Sequence, residues 1–547
     1  MLIVQIRLAK YSVNVQSSKA ISAPRLYNYT TIYTSHPACL TINTMGTVAK
    51  ILSVAPVGFD GQIVEVESDL TNGLPNFTVV GMANKSIDEA KERVKSALTN
   101  SLLDYPAKRI TVNLAPAELP KDGTHYDLPI ALAIMTSSGQ LQTGEVANAV
   151  FAGELALDGT IRPVKGAISI AETAKSRSVT TVYLPLDNLP QAQLVEGVTF
   201  IGVSSLKQLF LHLKGEVLIK PADAKQADLV AAAAPPTARL DDIAGQIQAK
   251  RALIIAAAGR HNLLMSGPPG AGKTMLGKAL ADLLPDMSRA EQLAVTKLHS
   301  LAGELIDQNI RYRPFRSPHH TTSRTALIGG GSRPKPGEVS LAHLGVLFLD
   351  EIPEYPRSIL ESLRQPIEDR EVTITRAGGR ARYPSDFLLI ATMNPCPCGY
   401  FGDPTKECTC TSTQILNYQR RLSGPLVDRI DMKVSVSRVP HRELIHNKSS
   451  STEQHAIAKK QIQTALDIQR HRYRSGIKYN SSLSNQQLHS FAQINTEAEA
   501  LLLNAASKLE LSARSTVKTL KVARTIADLE AAENIEPQHV SEALQYR

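Results

Sequence analysis

A glycine-rich segment near the middle of the chain has the spacing of a phosphate-binding loop. Residues 267–274 match the pattern G-x-x-x-x-G-K-[ST], after the apolar run 263–265 and before a segment with apolar residues at helical spacing. In such a loop, backbone N–H groups and the lysine contact the phosphates, and the threonine hydroxyl binds Mg²⁺. The predicted nucleotide-binding residues are Gly267, Pro268, Pro269, Gly270, Ala271, Gly272, Lys273 and Thr274. The motif therefore predicts a nucleoside triphosphate site.

Two further apolar runs end in polar residues that suit nucleotide hydrolysis. Residues 345–349 precede Asp350 and Glu351, which we expect to bind Mg²⁺ through water and to polarise the attacking water, respectively. Two acids after an apolar run are common in isolation, but about 75 residues beyond a phosphate-binding loop they indicate a Walker B motif. A third run, residues 388–393, precedes Asn394, which we expect to orient the same water.

Four of the five cysteines lie in one short window. Cys396, Cys398, Cys408 and Cys410 could supply four thiolates to a tetrahedral Zn²⁺, although this spacing is less typical than pairs of C-x₂-C. The alternative is a set of free thiols. So few cysteines in so long a chain indicate a reducing compartment without a disulfide scaffold, and we expect a cytoplasmic protein.

The composition predicts a globular protein of several domains. The chain has 547 residues, of which 43% are hydrophobic and 20% charged, and about one domain per 150 residues gives three or four domains. No apolar run approaches the ~18 residues that a membrane helix needs, so we expect no membrane partner. The formal net charge of +9 suits a polyanionic partner, but a mild basic excess is also common on ordinary surfaces. The absence of Trp argues against aromatic stacking as the main way of binding nucleic acid.

The N-terminal segment, residues 1–45, differs from the remainder. It contains basic, Ser and Thr residues but no acidic residue, and the first acid of the chain is Asp60. This composition resembles a transit peptide. The alternative, which we favour, is an upstream start codon, with Met45 beginning the working chain.

From residue 46 the pattern alternates strands and helices, as expected for an α/β protein. A hairpin is expected at the Asp60-Gly61 turn, and further strands over 109–114, 149–157 and 180–184. An Ala-rich segment containing Pro235-Pro236 indicates a linker. The predicted units are a first domain over 46–218, a linker over 219–240, a nucleotide-binding domain over 241–440 and a helical domain over 441–547.

The first domain resembles the Lon-protease-like fold found at the front of magnesium-chelatase-like ATPases. Residues 113–123 and 153–163 carry this resemblance. Proteolytic members place a nucleophilic serine where this chain has His125, and a lysine where it has Ile168. A Ser–Lys mechanism requires both groups. The resemblance therefore implies a platform without protease activity.

As a whole, residues 46–547 resemble the ComM/YifB family, with residues 394–399 and 522–528 among the most specific stretches. The resemblance implies a Lon-like α+β domain, an AAA+ P-loop ATPase module and a helical lid. It also implies ATP and Mg²⁺ as ligands and a homo-oligomer, usually a hexamer. The characterised competence member of the family is an ATP-driven motor that branch-migrates DNA, so the resemblance implies a DNA helicase acting in recombination or natural transformation.

The resemblance also assigns arginines to the nucleotide. Residues 426–431 are similar to the segment in which AAA+ proteins carry the arginine finger that serves the neighbouring subunit, which implies this role for Arg429. Arg420 and Arg421 are competitors for it. Arg514 matches the sensor 2 arginine. The family usually has another arginine four residues further on, where this chain has Lys518, which keeps the charge but loses the planar fork.

Two inserts resemble pore-facing elements of the magnesium-chelatase branch. Residues 313–338 match the helix-2 insert, and residues 371–383 predict a β-hairpin around Gly378-Gly379. Cations on both suit a phosphate backbone, while exposed, solvated hairpins are the alternative. The predicted contacts to single-stranded, duplex or branched DNA are Arg316, Arg333, Lys335, Arg376, Arg380 and Arg382.

Two other functions compete with a DNA motor. A magnesium-chelatase subunit, which remodels a protein partner for metal insertion, would share the ATPase core. The Lon-like front domain and the basic inserts argue against it. An ATP-dependent protease is disfavoured by His125 and Ile168.

Overall fold

The computed structural model describes residues 48–81, 85–119, 121–222, 238–304, 308–331, 334–376, 379–403, 406–439, 453–473 and 479–547. The predicted N-terminal extension, most of the predicted linker and Arg333 lie outside these ranges.

The N-terminal part is built on a seven-stranded mixed sheet with strand order β3-β4-β2-β1-β5-β8-β9. Its strands are β1 (Ala49–Val57), β2 (Asp60–Thr71), β3 (Asn76–Val80), β4 (Arg109–Ala115), β5 (Ala149–Phe151), β8 (Thr181–Pro185) and β9 (Thr199–Val203), with the small hairpin β6 (Glu154–Leu155) and β7 (Ile161–Arg162) beside them. Its helices are α1 (Lys85–Asn100), α2 (Asp127–Ser137), α3 (Ala167–Ser176), α4 (Leu189–Ala192) and α5 (Leu206–Leu213). Strand β4 buries Ile110, Val112 and Leu114 at alternate positions, as a strand with one face on a core does.

The first hairpin turns two residues earlier than the sequence suggested. Val57 pairs with Asp60, so the turn is Gly58-Phe59 and Asp60 already belongs to β2. Gly58 has φ of 61°, a left-handed conformation that a two-residue turn requires and that glycine adopts without strain. The prediction of a turn at Asp60-Gly61 is therefore wrong, because it places the turn two residues too late in the chain.

The middle of the chain forms a five-stranded parallel sheet with order β11-β14-β17-β10-β18. The strands are β10 (Leu263–Ser266), β11 (Phe315–Arg316), β14 (Val346–Leu349), β17 (Leu388–Met393) and β18 (Met432–Ser435). The surrounding helices are α6 (Ile247–Gly259), α7 (Lys273–Leu283), α8 (Arg289–Ala302), α9 (Arg324–Ile328), α10 (Glu338–Leu341), α11 (Arg357–Ser362), α12 (Arg364–Asp369), α13 (Ser412–Gln419) and α14 (Gly424–Val427). Strands β14 and β17 are buried throughout, which explains their continuous apolar sequences.

Two hairpins project from this module. The first joins β12 (Gly329–Gly330) to β13 (Lys335–Pro336), and the second joins β15 (Glu371–Arg376) to β16 (Gly379–Pro384). The second confirms the hairpin predicted from residues 371–383.

The described C-terminal part is helical. It contains α15 (Gln454–Tyr473), α16 (Asn485–Phe491), α17 (Thr496–Lys508), α18 (Ala513–Leu529) and α19 (Pro537–Gln545). Helix α18 packs on α6 and α15, and so joins the lid to the nucleotide-binding module. Within the described ranges, none of the helices has both the length and the apolar character needed to cross a bilayer.

The N-terminal sheet contacts the second projecting hairpin through its first turn. The backbone N–H of Phe59 donates to the carbonyl oxygen of Arg382 at 3.1 Å. Lys297 of α8 lies 4.1 Å above the Phe59 ring and forms an ion pair with Glu172. One turn thus joins the N-terminal domain to both α8 and β16.

Candidate nucleotide site

The three predicted motifs meet at one edge of the parallel sheet. Strand β17 lies between β14 and β10, with Leu349 opposite Ala391 and Ser266 opposite Met393. The residues that follow the carboxyl ends of neighbouring parallel strands share one edge, which is where α/β proteins bind ligands. The sheet order therefore places the glycine-rich loop, the two carboxylates and Asn394 side by side.

The glycine-rich loop has the backbone that a phosphate cradle needs. Gly270 and Gly272 have φ of 77° and 87°, which side chains other than glycine rarely adopt. A Cβ on Gly267 would lie 2.0 Å from the carbonyl oxygen of Val436, so no larger residue fits there. Helix α7 begins at Lys273, and its N-terminus would favour an anion. The loop fits a triphosphate.

Lys273 lies inside the loop beside Asn394, the predicted water-orienting residue (sensor 1). Its ammonium donates to the carbonyl oxygens of Gly267 at 2.5 Å and Pro268 at 3.1 Å, and to Asn394 Oδ1 at 2.9 Å. The residue is only 8% exposed. Burial lowers the pKa of Lys273 from its usual value, while Asp350 and Glu351 act in the opposite direction.

The two carboxylates are tied to the same network. The Thr274 hydroxyl donates to Asp350 Oδ2 at 3.3 Å, and a hydroxyl with a carboxylate offers the oxygen ligands that Mg²⁺ prefers. Asn394 Nδ2 donates to Glu351 Oε1 at 3.4 Å. The edge therefore holds two sets of contacts, one joining Lys273, Asn394 and Glu351 and the other joining Thr274 and Asp350.

Thr392 is a member of this network that the sequence reasoning missed. Its hydroxyl donates to Asp350 Oδ1 and accepts from the backbone N–H of Glu351 at 3.0 Å. It is fully buried, one residue before the end of β17. A hydroxyl inside an otherwise apolar strand was the available signal.

Gln246, just before α6, also contacts the loop. Its side-chain amide donates to the carbonyl oxygens of Ala271 at 3.3 Å and Ser437 at 2.5 Å. This contact holds the start of the module, residues 242–246, against the P-loop and β18.

The predicted arginines form a second group, held together by Glu368. Arg429 Nη2 lies 2.5 Å from Glu368 Oε1, and its Nη1 donates to the carbonyl oxygen of Pro425 at 2.6 Å. Arg514 Nη1 lies 4.0 Å from the same oxygen. The Arg429 side chain is 10% exposed and that of Arg514 is 66% exposed. Glu368 was not anticipated, because a single acid in α12 carries no sequence signal.

Lys518 holds the segment that carries Arg429. Its ammonium donates to the carbonyl oxygen of Asp428, and to that of Ile430 at 2.9 Å, while Asp431 Oδ1 lies 3.6 Å away. Burial lowers the pKa of Lys518, and the two aspartates oppose that shift. A compact ammonium fits between these carbonyls.

A cavity surrounds this second group and is rich in cations. Its charged lining is Arg260, Arg370, Arg429, Arg514, Lys518 and Lys521 against Glu368, Asp386, Asp428 and Asp431. Six cations face four carboxylates, so the cavity suits an anionic partner. Arg421, one of the two competitors, instead pairs with Glu354 at 3.1 Å.

The hairpin cations lie on one face of β16. Arg380 and Arg382 are exposed, while the alternate residues Ala381 and Tyr383 are buried. The Tyr383 hydroxyl donates to the carbonyl oxygen of Pro334 at 2.7 Å, next to the exposed Lys335. The structure thus brings Lys335 to the same region as the β16 cations. The Arg376 side chain, like Arg333, lies outside the described parts.

Arg316 differs from these exposed cations. Its guanidinium forms ion pairs with Glu338 at 2.6 Å and Glu304 at 3.0 Å, and it is largely buried. Two carboxylates of the same chain therefore offset its charge.

His125 and Ile168, at which the sequence predicted the loss of a Ser–Lys dyad, lie in the N-terminal core. His125 Nε2 is 3.0 Å from the carbonyl oxygen of Val54, and burial lowers its pKa to about 4. The imidazole is therefore neutral at neutral pH. Ile168 is fully buried within α3.

The four clustered cysteines converge. The sulphur atoms of Cys396, Cys398, Cys408 and Cys410 all lie within 4.8 Å of one another.

Models of three protein families match the chain. They are described as "Magnesium chelatase, subunit ChlI" over residues 239–444, "Subunit ChlI of Mg-chelatase" over 66–188 and "Magnesium chelatase, subunit ChlI C-terminal" over 452–547.

Full-length relatives agree with these matches. The chain is 42% identical to the competence protein ComM of Haemophilus influenzae over 503 residues, which cover 92% of this chain and 97% of that protein. It is 41% identical to the YifB protein of Escherichia coli over 501 residues, covering 90% and 96% respectively.

A partial relative bears on the N-terminal domain. The chain is 28% identical to a Lon protease of Chloroflexus aurantiacus over 204 residues, which cover 35% of this chain and 23% of that protein. This match lends limited support to a Lon-like domain. The expected α/β class with an AAA+ module agrees with the family match and with the parallel sheet.

Proposed function

The chain belongs to the ComM/YifB family of magnesium-chelatase-like proteins, and from this premise we propose that it is a ring-shaped ATPase motor that moves branch points in DNA. Family membership supports an ATPase of the ComM/YifB type. The observation that carries the proposal further is the unbroken chain of contacts from Lys273 through Asn394 to Glu351. In this chain the amide of Asn394 lies between Lys273, which would bind phosphate, and Glu351, which would act as the base.

We propose that ATP and Mg²⁺ bind at this edge. Lys273 would contact the β- and γ-phosphates, and Thr274 with Asp350 would hold Mg²⁺. Glu351 would accept a proton from the attacking water, with Asn394 keeping that water in line. Thr392 would fix both carboxylates, because it bonds the side chain of one and the backbone of the other.

We propose that the second group acts on the nucleotide of a neighbouring subunit in a homo-oligomer, of which a hexamer is the expected form. Arg429 and Arg514 share Glu368 and line a cavity with an excess of cations. Such arginines stabilise charge that develops on the transferring phosphoryl group. Two half-sites on each subunit, one acidic and one basic, would make hydrolysis depend on assembly.

We propose that DNA passes along the exposed cations of the two hairpins. Arg380, Arg382 and Lys335 lie in one region and are exposed. The predicted contacts Arg333 and Arg376 belong to the same two segments. Contacts with phosphates carry no base preference, as a translocating motor requires. Arg316 contributes less in this proposal, because Glu304 and Glu338 already offset its charge.

Three further assignments complete the proposal. The N-terminal domain is a Lon-like platform, the four cysteines hold Zn²⁺, and the protein acts in the cytoplasm. Reducing conditions there would keep the four thiols available for a metal.

The test is ATP turnover and strand exchange with defined DNA. We expect hydrolysis to rise with single-stranded, duplex or four-way-junction DNA, and ATP, but not a non-hydrolysable analogue, to convert a labelled junction. Binding should weaken with salt, log K falling with log[salt] with a slope of about −0.9 per duplex phosphate neutralised.

Charge-matched variants locate the contact. Arg380→Ala with Arg382→Ala should lower DNA affinity and DNA-stimulated turnover while ATP binding persists. The control is Arg177→Ala with Lys207→Ala, which removes two exposed cations from the N-terminal domain. A ring that hydrolyses ATP but neither binds nor converts junctions at low salt would contradict the proposal. That result would favour the chelatase-type alternative, an ATPase subunit acting on a protein partner.

A further inference from the structure

The four cysteines have the geometry of a closed mononuclear metal site. Cys396 Sγ lies 3.3 Å from Cys398 Sγ and 3.7 Å from Cys408 Sγ. The sulphur atoms of Cys398 and Cys408 are 3.6 Å apart. A tetrahedron with Zn–S bonds of ~2.3 Å has edges of about 3.8 Å. A disulfide would require about 2.05 Å. The spacing therefore fits one tetrahedral ion surrounded by sulphur and does not fit bonded pairs.

Backbone N–H groups point at two of these sulphurs. The N–H of Cys398 donates to Cys410 Sγ at 3.4 Å, and that of Phe401 donates to Cys396 Sγ at 3.3 Å. Such donors offset the negative charge of metal-bound thiolates and orient them. Cys396 is fully buried, and the other three are partly buried. The cluster is thus shielded on one side and supported by the backbone.

The loop that carries the cluster packs against the nucleotide-binding edge. Cys396 follows the sensor residue Asn394 by two positions. A Cβ on Gly399, which has φ of 84°, would lie 2.6 Å from Cδ of Pro269 in the P-loop. Gly399, between Cys398 and Phe401, therefore packs so closely on the P-loop that no side chain fits at this position.

The other end of the cluster leads toward the arginine group. Cys410 directly precedes the N-cap of α13, Thr411, and Gln419 at the end of that helix donates back to the carbonyl oxygen of Pro395 at 3.2 Å. Helix α14 and Arg429 follow shortly afterwards. The cysteine segment thus separates the sensor strand from the segment that carries Arg429, and it is anchored at both ends.

We propose that the four cysteines bind one Zn²⁺ and that this ion holds the sensor segment against the P-loop, so that ATP binding and turnover depend on zinc. The zinc site stands on its own geometry, whereas the dependence on zinc rests on the proposed ATPase function. The ion takes no part in hydrolysis. It replaces the conformational freedom of a long loop with a fixed crosslink.

The first experiment measures metal in the full chain, purified without chelator under reducing conditions. We expect about one zinc per chain by elemental analysis. Cys398→Ser and Cys408→Ser should lose it, whereas the control Gly399→Ala, which keeps all four thiols, should retain it. Substitution with cobalt should give the visible absorption bands of a tetrahedral thiolate site. Wild-type protein that is folded and free of metal, or that holds the four cysteines as disulfides, would overturn the proposal.

The second experiment measures the link to the nucleotide. Loss of zinc should lower turnover on the order of 100-fold, as misplacement of catalytic groups by about 1 Å does. Gly399→Ala keeps all four thiols, so it should retain zinc while weakening binding of a non-hydrolysable ATP analogue by about tenfold, through strain at positive φ and contact with Pro269. This variant separates the link from loss of the fold.

The outcomes distinguish the two ideas. If Cys398→Ser loses zinc but keeps wild-type analogue binding and turnover, the link is overturned while the ATPase stands. If zinc-loaded wild-type protein binds no analogue, the ATPase assignment fails, and the link fails with it.

Discussion

The nucleotide edge and the arginine cavity are built in opposite ways. At the nucleotide edge, each functional side chain bonds to another, and the network contains one cation, Lys273, and the two carboxylates of Asp350 and Glu351. In the cavity, six cations face four carboxylates, and Arg514 is two-thirds exposed. The first region is therefore a closed hydrogen-bonded network with one more carboxylate than cations, whereas the second retains positive charge.

This difference indicates how a site can be divided between subunits. The nucleotide edge can hold its geometry in a single chain, because side chains that are mutually hydrogen-bonded stabilise one arrangement. The cationic cavity gains most when an anion, such as the nucleotide phosphates of a neighbour, lies against it. The following substitutions test the contrast, beginning with the largest expected effect.

The largest effect is expected at the nucleotide edge. Lys273→Ala removes the buried cation and should abolish both ATP binding and turnover. Glu351→Gln should retain binding and stop turnover, because it acts only on the water. Titration with a fluorescent ATP analogue, together with phosphate release, separates the two. Equal ATP affinity in wild type and Lys273→Ala would contradict this division of roles.

The next effect concerns the cavity. Arg429→Ala should lower turnover about 10³-fold or more, the size of an arginine-finger contribution, while nucleotide binding by the chain itself persists. Mixing these subunits with Glu351→Gln subunits should restore part of the activity at interfaces that combine two intact halves. The measurement is turnover across mixing ratios under subunit exchange. Activity that never exceeds the sum of the two variants would place Arg429 outside the shared site.

Arg514 and Lys518 both line the cavity, but we expect substitution of Arg514 to affect turnover and substitution of Lys518 to affect stability. Arg514→Ala should lower turnover about 100-fold, as loss of one charge-stabilising donor does, without changing stability, because its side chain is exposed. Lys518→Ala should lower the free energy of unfolding by about 1–3 kcal/mol, since it leaves the carbonyls of Asp428 and Ile430 unpaired. Denaturant titration beside kinetics checks both. Equal destabilisation by the two variants would contradict the distinction.

The smallest effect is a pH dependence behind the cavity. His261 is fully buried, bonds Thr525 at 2.8 Å and lies near Asp431, Lys518 and Lys521. Burial lowers its pKa from 6.5 to about 4, so the folded state favours the neutral ring. The stabilisation by the neutral ring is fully present above pH ~6.5 and is lost as the pH falls toward 4. At pH 5 the loss in free energy of unfolding is about 2 kcal/mol. Compared with wild type, His261→Gln should show a smaller loss of stability between pH 7 and 5, and an unchanged slope would contradict this account.

Much of the nucleotide edge could be predicted from the sequence, because its residues follow apolar strands at fixed spacing. Asp350, Glu351 and Asn394 each end a run whose hydrophobic pattern is local. Sequence reasoning missed Thr392 and Glu368, which act through contacts between separate elements. No local sequence pattern shows which acidic residue of a distant helix will form an ion pair with a given arginine.

The same limit applies to Arg316 and to the first turn. Arg316 was grouped with the hairpin cations because its segment contains no acid before Glu338, yet Glu304, twelve residues earlier, folds back onto it. The turn was placed at Asp60-Gly61, whereas cross-strand pairing selects Gly58-Phe59. Composition identifies a charge or a turn residue, and tertiary pairing decides how it is used.

The strand order of the parallel sheet has a consequence for synthesis on the ribosome. Strand β10, which leads into the P-loop, pairs only with β17 and β18 among the described strands, and 121 residues lie between Ser266 and Leu388. At ~5–20 residues per second, β10 leaves the ribosome about 6–25 s before its first neighbour. The N-terminal sheet, complete at Val203, has its full set of strands before β10 is made. The nascent chain therefore carries a finished first domain while the nucleotide edge still lacks its central pairing.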